Sequence, residues 1–325
     1  MTVRRTTARS LLMWRIVQVA GVAATVLLII GLVYAPTIAL SALWNLAIPG
    51  VVVSLLITPH VWRNACPLAT LNMVSNGWLA RRMPTETTIG VATGVGMVLL
   101  LVLVPARRFL FNTDGLSLAL LIGAIAIAAL ALGAVFDAKA GFCNTLCPVL
   151  PVERLFGQRP LVDSSNPRCE SCSGCSVRGC IDLAPSKSIA QTLGPQRGSH
   201  AWMFTTYGVF AAAYPGLVLG YYLQVDGVLA TAPSVYLSVV AWVAGSYLAV
   251  TVLVRTLRVS AEQAMPTLAA VAGGLYFWFA SPVISTAVGT ADVGVAVLRV
   301  VMLSLIAFWY VRALRQPRAV PAALV

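Results

Sequence analysis

Long apolar runs separated by short polar stretches dominate the chain. Each run is close to the ~20 residues that an α-helix needs to cross the hydrocarbon core of a bilayer. We predict eight transmembrane helices, at residues 11–34, 38–58, 88–104, 116–136, 201–223, 233–254, 265–285 and 293–311. The second contains Pro49, where a kink is expected. The pattern therefore predicts an all-α integral membrane protein.

Composition and charge agree with this prediction. Of the 325 residues, 59% are hydrophobic and 10% are charged, whereas a soluble domain has roughly a quarter charged residues. The formal net charge is +12. Most Lys and Arg lie in both termini and in residues 59–87, 137–200 and 255–264. Because cytoplasmic loops are enriched in Lys and Arg, we predict a multi-pass protein of the cell membrane with these segments in the cytoplasm.

Two further expectations follow from the same observations. The orientation bias explains most of the positive charge, so we predict no nucleic-acid partner. The first apolar run is long enough to span and is not followed by a small-residue cleavage site. No secretory signal peptide is therefore expected.

The cysteines divide the chain into three predicted regions. Six of the seven cysteines lie between residues 140 and 180. We predict an N-terminal membrane domain (1–136), a cytoplasmic region that carries the cysteines (137–199) and a C-terminal membrane domain (200–325). Because cytoplasmic cysteines are usually reduced, catalytic or metal-bound, a disulfide framework is not expected.

The most specific motif is Cys169-x2-Cys172-x2-Cys175. Three thiolates at this spacing can ligate three irons of one 4Fe–4S cluster, with a fourth ligand from elsewhere in the chain. Cys180 follows after four residues rather than the three of bacterial ferredoxins, and Ile181 stands where their Pro would be. Zinc is the alternative, since C-x2-C pairs also suit a tetrahedral zinc site. Consecutive x2 spacings favour the iron–sulfur cluster.

Two similar passages, residues 60–78 and 141–157, form a degenerate internal repeat in our interpretation. Each follows a pair of predicted spans and contains Cys-Pro, at Cys66 and at Cys147. Cys143 lies four residues before Cys147, a spacing that places both thiols on one face of a helix, whereas Trp62 has the equivalent position in the first passage. We expect each Pro to begin a short helix, whose N-terminus would stabilise a thiolate or an anionic cluster. A redox-active dithiol is the alternative for the pair Cys143 and Cys147.

With these motifs, residues 38–185 resemble the membrane-bound polyferredoxin family of NapH-, NosR- and CcoG-type 4Fe–4S proteins. That family combines several spans, paired C-x3-C-P motifs and ferredoxin-type cysteine motifs. Cys143 and Cys147 match one C-x3-C-P motif, and Cys66 with its following Pro matches half of another. The ferredoxin motif is matched by Cys169, Cys172, Cys175 and Cys180.

The resemblance implies a cytoplasmic, ferredoxin-like iron–sulfur region with one or two 4Fe–4S clusters ligated by these seven cysteines. Two clusters ligated only by thiolates would need eight cysteines, and a second ferredoxin motif is absent. We expect one cluster to take Cys169, Cys172, Cys175 and a cysteine from a Cys-Pro element. A second cluster would then use Cys180 and the remaining Cys-Pro thiols.

Only two histidines are present, His60 and His200, so a dihaem cytochrome b is excluded. Both lie at predicted membrane boundaries, where one bis-histidine haem b is an alternative to ordinary interfacial histidines. His60 is also a candidate non-cysteine ligand of a cluster. Arg299 lies inside the last predicted span. Snorkelling, or pairing with an acid of an outer loop, is the favoured interpretation, and a quinone or substrate role is the alternative.

These observations predict an electron-transfer component rather than a stand-alone enzyme. The family resemblance implies relay between a cytoplasmic or quinol donor and a partner oxidoreductase or metal centre. No nucleotide-binding or hydrolase motif is present. The alternatives are a transporter or metalloenzyme-maturation factor with a structural or regulatory cluster, and a scaffold stabilised by zinc.

Overall fold

The structure, a computed structural model, describes residues 8–137, 139–162, 181–182, 185–194, 196 and 200–315. Within these ranges the chain is helical and forms no β-strand; one isolated bridge joins Arg82 to Phe136. The α-helices are α1 (Ala8–Tyr34), α2 (Pro36–Ser41), α3 (Ile48–Ile57), α4 (Pro59–Ala65), α5 (Pro67–Val74), α6 (Glu86–Ala106), α7 (Gly115–Val135), α8 (Leu150–Gly157), α9 (Pro185–Leu193), α10 (Thr206–Tyr222), α11 (Ala232–Leu257), α12 (Ala261–Val288) and α13 (Ala291–Arg315). In the described part of the chain, the π-helical segments are π1 (Ala42–Ala47), π2 (Arg107–Phe111) and π3 (Phe142–Leu146), and 3₁₀ segments include His200–Phe204 and Leu229–Thr231.

Seven helical stretches in the described part of the chain are long and apolar enough to cross a membrane. They are Leu12–Tyr34, Pro36–Ile57, Glu86–Phe111, Gly115–Val135, Leu229–Leu257, Ala261–Val288 and Asp292–Arg315. The prediction of a multi-pass, all-α membrane protein is confirmed, and these stretches correspond to seven of the eight predicted spans.

The remaining predicted span, 201–223, is shorter in the structure. Helix α10 has 17 residues, about 25 Å at the rise of an α-helix. Residues His200–Phe204 form a 3₁₀ segment instead of the first turn of the predicted span. Helix α10 begins only after them, because the Thr205 hydroxyl accepts a hydrogen bond from the Gly208 amide and caps the helix. Twelve of its residues are buried, so α10 is an internal helix of the bundle.

The expected irregularity at Pro49 is a π-helical segment. Proline cannot donate to the carbonyl four residues earlier, and its ring crowds that carbonyl. The chain widens by one residue immediately before Pro49, where the Ile48 amide donates to the Leu43 carbonyl five residues back. One apolar span (Pro36–Ile57) is therefore built from α2, π1 and α3.

The main core surrounds α10 and α12. Its largest buried side chains include Phe156 of α8, Trp202, Tyr207 of α10, Phe277 of α12 and Trp309 of α13. At one end of α10 the Tyr207 hydroxyl donates to the Pro151 carbonyl (3.3 Å). At the other end the Tyr221 carbonyl accepts from Arg108 Nε (3.0 Å). Helix α10 therefore connects the end of the bundle that carries α8 to the end that carries π2.

Helix α5 packs directly against α7 at Gly133. A Cβ atom at Gly133 would overlap the carbonyl oxygen of Asn72, and Asn72 is fully buried with its Nδ2 donating to the Ala129 carbonyl (3.0 Å). Asn72 belongs to α5, whose position also sets that of Cys66, so the close approach of α5 to α7 depends on the missing side chain at Gly133.

We expect Gly133→Ala to lower the free energy of unfolding by about 1–3 kcal/mol, the usual cost of overpacking. Gly123→Ala is the matched control, because a Cβ at Gly123 of the same helix meets no atom within 4 Å. Thermal unfolding of both variants in one detergent measures the difference. Equal stability of the two variants would contradict the close packing of α5 on α7.

Candidate functional site

The end of the bundle formed by residues 58–85, 139–162 and 181–182 is called the cysteine face here. It holds the three cysteines that the structure describes, Cys66, Cys143 and Cys147, all with free thiols. The helix connectivity does not fix which side of the membrane this end occupies. Its cytoplasmic location stays a prediction, and so does the division into three domains.

Cys66 lies at the junction of α4 and α5. Its amide donates to the Trp62 carbonyl (2.7 Å), and its backbone leaves the helical region with φ −57° and ψ 122°. Pro67 then begins α5, where its missing N–H costs no helical hydrogen bond. The predicted Cys-Pro start of a short helix is confirmed for this element.

Cys143 and Cys147 lie on the second element. Cys143 is in π3, and Cys147 ends it with its amide bonded to the Phe142 carbonyl (3.0 Å). The backbone of Cys147, φ −55° and ψ 119°, nearly equals that of Cys66. The expectation that Pro148 begins a helix is wrong: α8 starts at Leu150, whose amide closes a turn on the Cys147 carbonyl (3.1 Å).

The structure brings these three cysteines into one apolar cluster with Ala69, Ala129 and Phe142. Burial raises the pKa of the Cys143 thiol to about 12, against the opposing effect of Arg63. Burial also raises the pKa values of Cys66 and Cys147. A thiolate in this cluster therefore needs a compensating positive charge. Across the described ranges, no group of three or more His, Cys, Asp or Glu side chains is placed to hold a metal ion.

A buried network of charges adjoins the cysteine cluster. Arg63 of α4 is 3% exposed and forms ion pairs with Glu153 of α8 and with Asp182 (2.7 Å). Lys139 Nζ lies 3.2 Å from the second Asp182 oxygen and donates to the Arg63 carbonyl (3.0 Å). Burial disfavours the Asp182 carboxylate, but Arg63 and Lys139 outweigh this effect and hold its pKa below the usual range. These two cations and two carboxylates balance each other.

The network also joins the two passages of the predicted repeat. Arg63 and Asn144 each lie three residues before their Cys-Pro, and Arg63 Nη2 donates to Asn144 Oδ1 (2.7 Å). Trp62, which replaces a cysteine in the first passage, donates from Nε1 to Glu153 (2.9 Å). Equivalent positions of the two passages therefore meet, and Trp62 has a structural partner of its own.

Sequence reasoning did not single out Lys139, Glu153 or Asp182, and it counted Arg63 among the charges that set orientation. One indication of this network was present in the sequence: Arg63 and Asn144 lie at the same distance before Cys66 and Cys147. It could suggest a contact between the two passages, but it could not identify the carboxylates that complete the network.

We expect Trp62→Phe to lower the free energy of unfolding by about 1.5–3 kcal/mol, because it removes a hydrogen bond to a buried carboxylate. Trp78→Phe is the matched control, since Trp78 lies on the same face and is 66% exposed. Thermal unfolding of the two variants in detergent gives the comparison. A Trp62→Phe protein as stable as the control would contradict the pairing with Glu153.

Cys169, Cys172, Cys175 and Cys180 lie outside the described residues. The described residues on both sides of this segment are anchored at the cysteine face. On one side, the amides of Leu161 and Val162 donate to the carbonyls of Leu56 (3.0 Å) and Ile57 (2.8 Å). On the other side, Ile181 is fully buried and Asp182 pairs with Arg63.

The other predicted candidates are placed differently. His60 is buried in α4, whereas His200 is exposed at the start of a 3₁₀ segment. Arg299 Nε donates to the Trp278 carbonyl of α12 (3.1 Å), and its guanidinium lies 4.2 Å from the centre of the Trp278 ring. In the described part of the chain Arg299 pairs with no acid, so pairing with an outer-loop carboxylate is wrong; the aromatic ring takes that place.

Scans against protein-family models, curated proteins and solved structures found no match to this chain. The resemblance to membrane-bound polyferredoxins therefore depends on the cysteine motifs and on the arrangement of the two Cys-Pro elements. It stays a prediction.

Proposed function

We propose that this chain is a membrane-bound iron–sulfur protein that relays electrons between a cytoplasmic or quinol donor and a partner oxidoreductase or metal centre. One observation carries the proposal. Cys66 and Cys143, which lie 77 positions apart in the sequence, share one apolar cluster with Cys147, and Val162 and Ile181, the described residues that flank the ferredoxin-like motif, lie on the same face. Thiols gathered from separate elements onto one face are typical of a metal centre.

The donor set fits a 4Fe–4S group in its chemistry. Cys66, Cys143 and Cys147 would supply thiolates from the two Cys-Pro elements, and Cys169, Cys172, Cys175 and Cys180 would supply the others. The described thiols do not form a metal site among themselves, so the proposed ligand set requires the ferredoxin-like motif. When bound, such a cluster accepts and releases single electrons.

The protein's own contribution is the environment of the thiols. The apolar side chains of Phe142, Ala69 and Ala129 pack around them, which lowers the local dielectric and strengthens every charge interaction there. Arg63 and Lys139 act on Cys143 in the direction that favours its thiolate. The network fixes these cations by pairing them with Glu153 and Asp182.

A redox titration of anaerobically purified protein, followed by EPR, tests the relay. We expect a cluster signal that appears on reduction and disappears on reoxidation at physiological potentials. A cluster that cannot be cycled reversibly would contradict electron relay and favour a structural or regulatory cluster in a transporter or maturation factor. Stoichiometric zinc without iron would favour the zinc-stabilised scaffold.

A further inference from the structure

A second site lies at the end of the bundle opposite the cysteine face. There a cavity of about 520 Å³ opens between π1, π2, the end of α10 and α12. Its lining includes Arg107, Arg108, Trp44 and three tyrosines, Tyr221, Tyr222 and Tyr276. Two of the three π-helical segments contribute to it, and such departures from α-helix are frequent at functional sites.

The cavity carries one uncompensated positive charge. Arg108 Nη1 pairs with Asp226 (2.9 Å), which neutralises that guanidinium. Arg107 stacks over Trp44, 3.7 Å from the ring centre, and 5.0 Å from that of Tyr221. Its Nε donates to Asn112 Oδ1 (3.2 Å), and within the described residues it pairs with no carboxylate. Stacking holds the guanidinium plane fixed and leaves the Nη edge available for an anion.

An apolar cavity adjoins this one between α3, α12 and α13. This second cavity, of about 200 Å³, shares Asn45 and Ile284 with the first. Its other lining residues include Gly50, Phe277 and Met302. The first cavity is therefore cationic and aromatic, and the adjoining cavity is apolar and open at the side where Gly50 is exposed.

We propose that this pair of cavities binds an amphiphile whose anionic head, a carboxylate or phosphate, pairs with Arg107 and whose apolar chain occupies the adjoining apolar cavity. Arginine forms bidentate hydrogen bonds with both anions, and the single net charge of the lining matches one such head group. The aromatic rings suit the boundary between head group and chain. The site uses no cysteine, so it stands apart from the proposed iron–sulfur function.

The head-group contact is tested by displacement of cis-parinaric acid from the protein in nanodiscs, with empty nanodiscs subtracted. We expect laurate or dodecyl phosphate to displace it and methyl laurate to do so roughly ten- to a hundredfold less effectively, the range of a charge-assisted hydrogen bond. Arg107→Gln should weaken parinarate binding by a similar factor, and Arg107→Lys should recover part of it. The stronger competitor, laurate or dodecyl phosphate, identifies the head group.

Arg299→Gln is the matched control, because Arg299 also stacks on a tryptophan but lines neither cavity. Unchanged binding in Arg107→Gln, equal loss in both variants or equal competition by methyl laurate would each overturn the anionic head group. Thermal unfolding of each variant verifies that loss of binding is not loss of fold.

The chain contact is tested at Gly50, where an added Cβ meets no atom within 4 Å. Gly50 lines the apolar cavity, so we expect the isobutyl group of Gly50→Leu to compete with the apolar chain there and parinarate affinity to fall about tenfold from the lost apolar burial. Gly123→Leu of α7, also unobstructed but outside both cavities, is the matched control. Equal affinity in the two variants would overturn the placement of the apolar chain.

Discussion

Arg63→Gln is expected to destabilise the protein by about 3–5 kcal/mol, the largest loss of stability that we predict for a single substitution. Arg63 pairs with both Glu153 and Asp182, and all three side chains are at most 5% exposed. Removing the cation takes the guanidinium away from two buried carboxylates, of which Glu153 keeps its hydrogen bond from Trp62 and Asp182 keeps its ion pair with Lys139. A buried charge left without its partner lowers the free energy of unfolding far more than the loss of a surface ion pair does.

The measurement is denaturant or thermal unfolding in one detergent, with Arg81→Gln as the control on the same face, since Arg81 is exposed. The double variant Arg63→Gln with Glu153→Gln should recover part of the loss, because it removes one of the stranded carboxylates. If Arg63→Gln were as stable as Arg81→Gln, the buried network would be contradicted. If the double variant lost as much stability as the two single variants together, direct pairing of Arg63 with Glu153 would be contradicted.

Cys143→Ser is expected to remove most of the iron from the proposed cluster region, because a serine hydroxyl replaces a buried thiolate ligand. Ala128→Ser is the matched control: it introduces the same side chain at a position that packs on the same apolar cluster but offers no ligand. Iron is measured on both variants purified anaerobically in parallel. An iron content unchanged by Cys143→Ser and equal to that of the control would exclude this cysteine from the ligand set.

The membrane helices could largely be predicted from the sequence, because the length of an apolar run directly reflects the thickness of the bilayer core. The start of α10 was predicted wrongly and the π-helical segments were missed, each for a local reason. Residues 201–204 are apolar but lie before the Thr205 cap, so the predicted span began several residues before α10 does. The π-helical segments at Leu43 and Arg107 were not predicted, since a single widened turn leaves the run of apolar residues unchanged.

The candidate site could be predicted only in its cysteines. The equivalence of Cys66 and Cys147 followed from Cys-Pro in two similar passages, and the structure gives both the same backbone conformation. The charges around them could not be assigned, because Arg63 and Lys139 in sequence look like ordinary orientation charges. Their partners Glu153 and Asp182 are 90 and 119 positions from Arg63, a separation that no local pattern encodes.

The central claim is that the seven cysteines hold iron–sulfur chemistry in a membrane protein. Iron, acid-labile sulfide and zinc determined on anaerobically purified protein, together with the EPR spectrum after reduction, test it most directly. We expect about four irons and four sulfides per chain for each cluster, with an EPR signal from the reduced state. Protein that contains zinc or no metal, and gives no EPR signal, would contradict the claim.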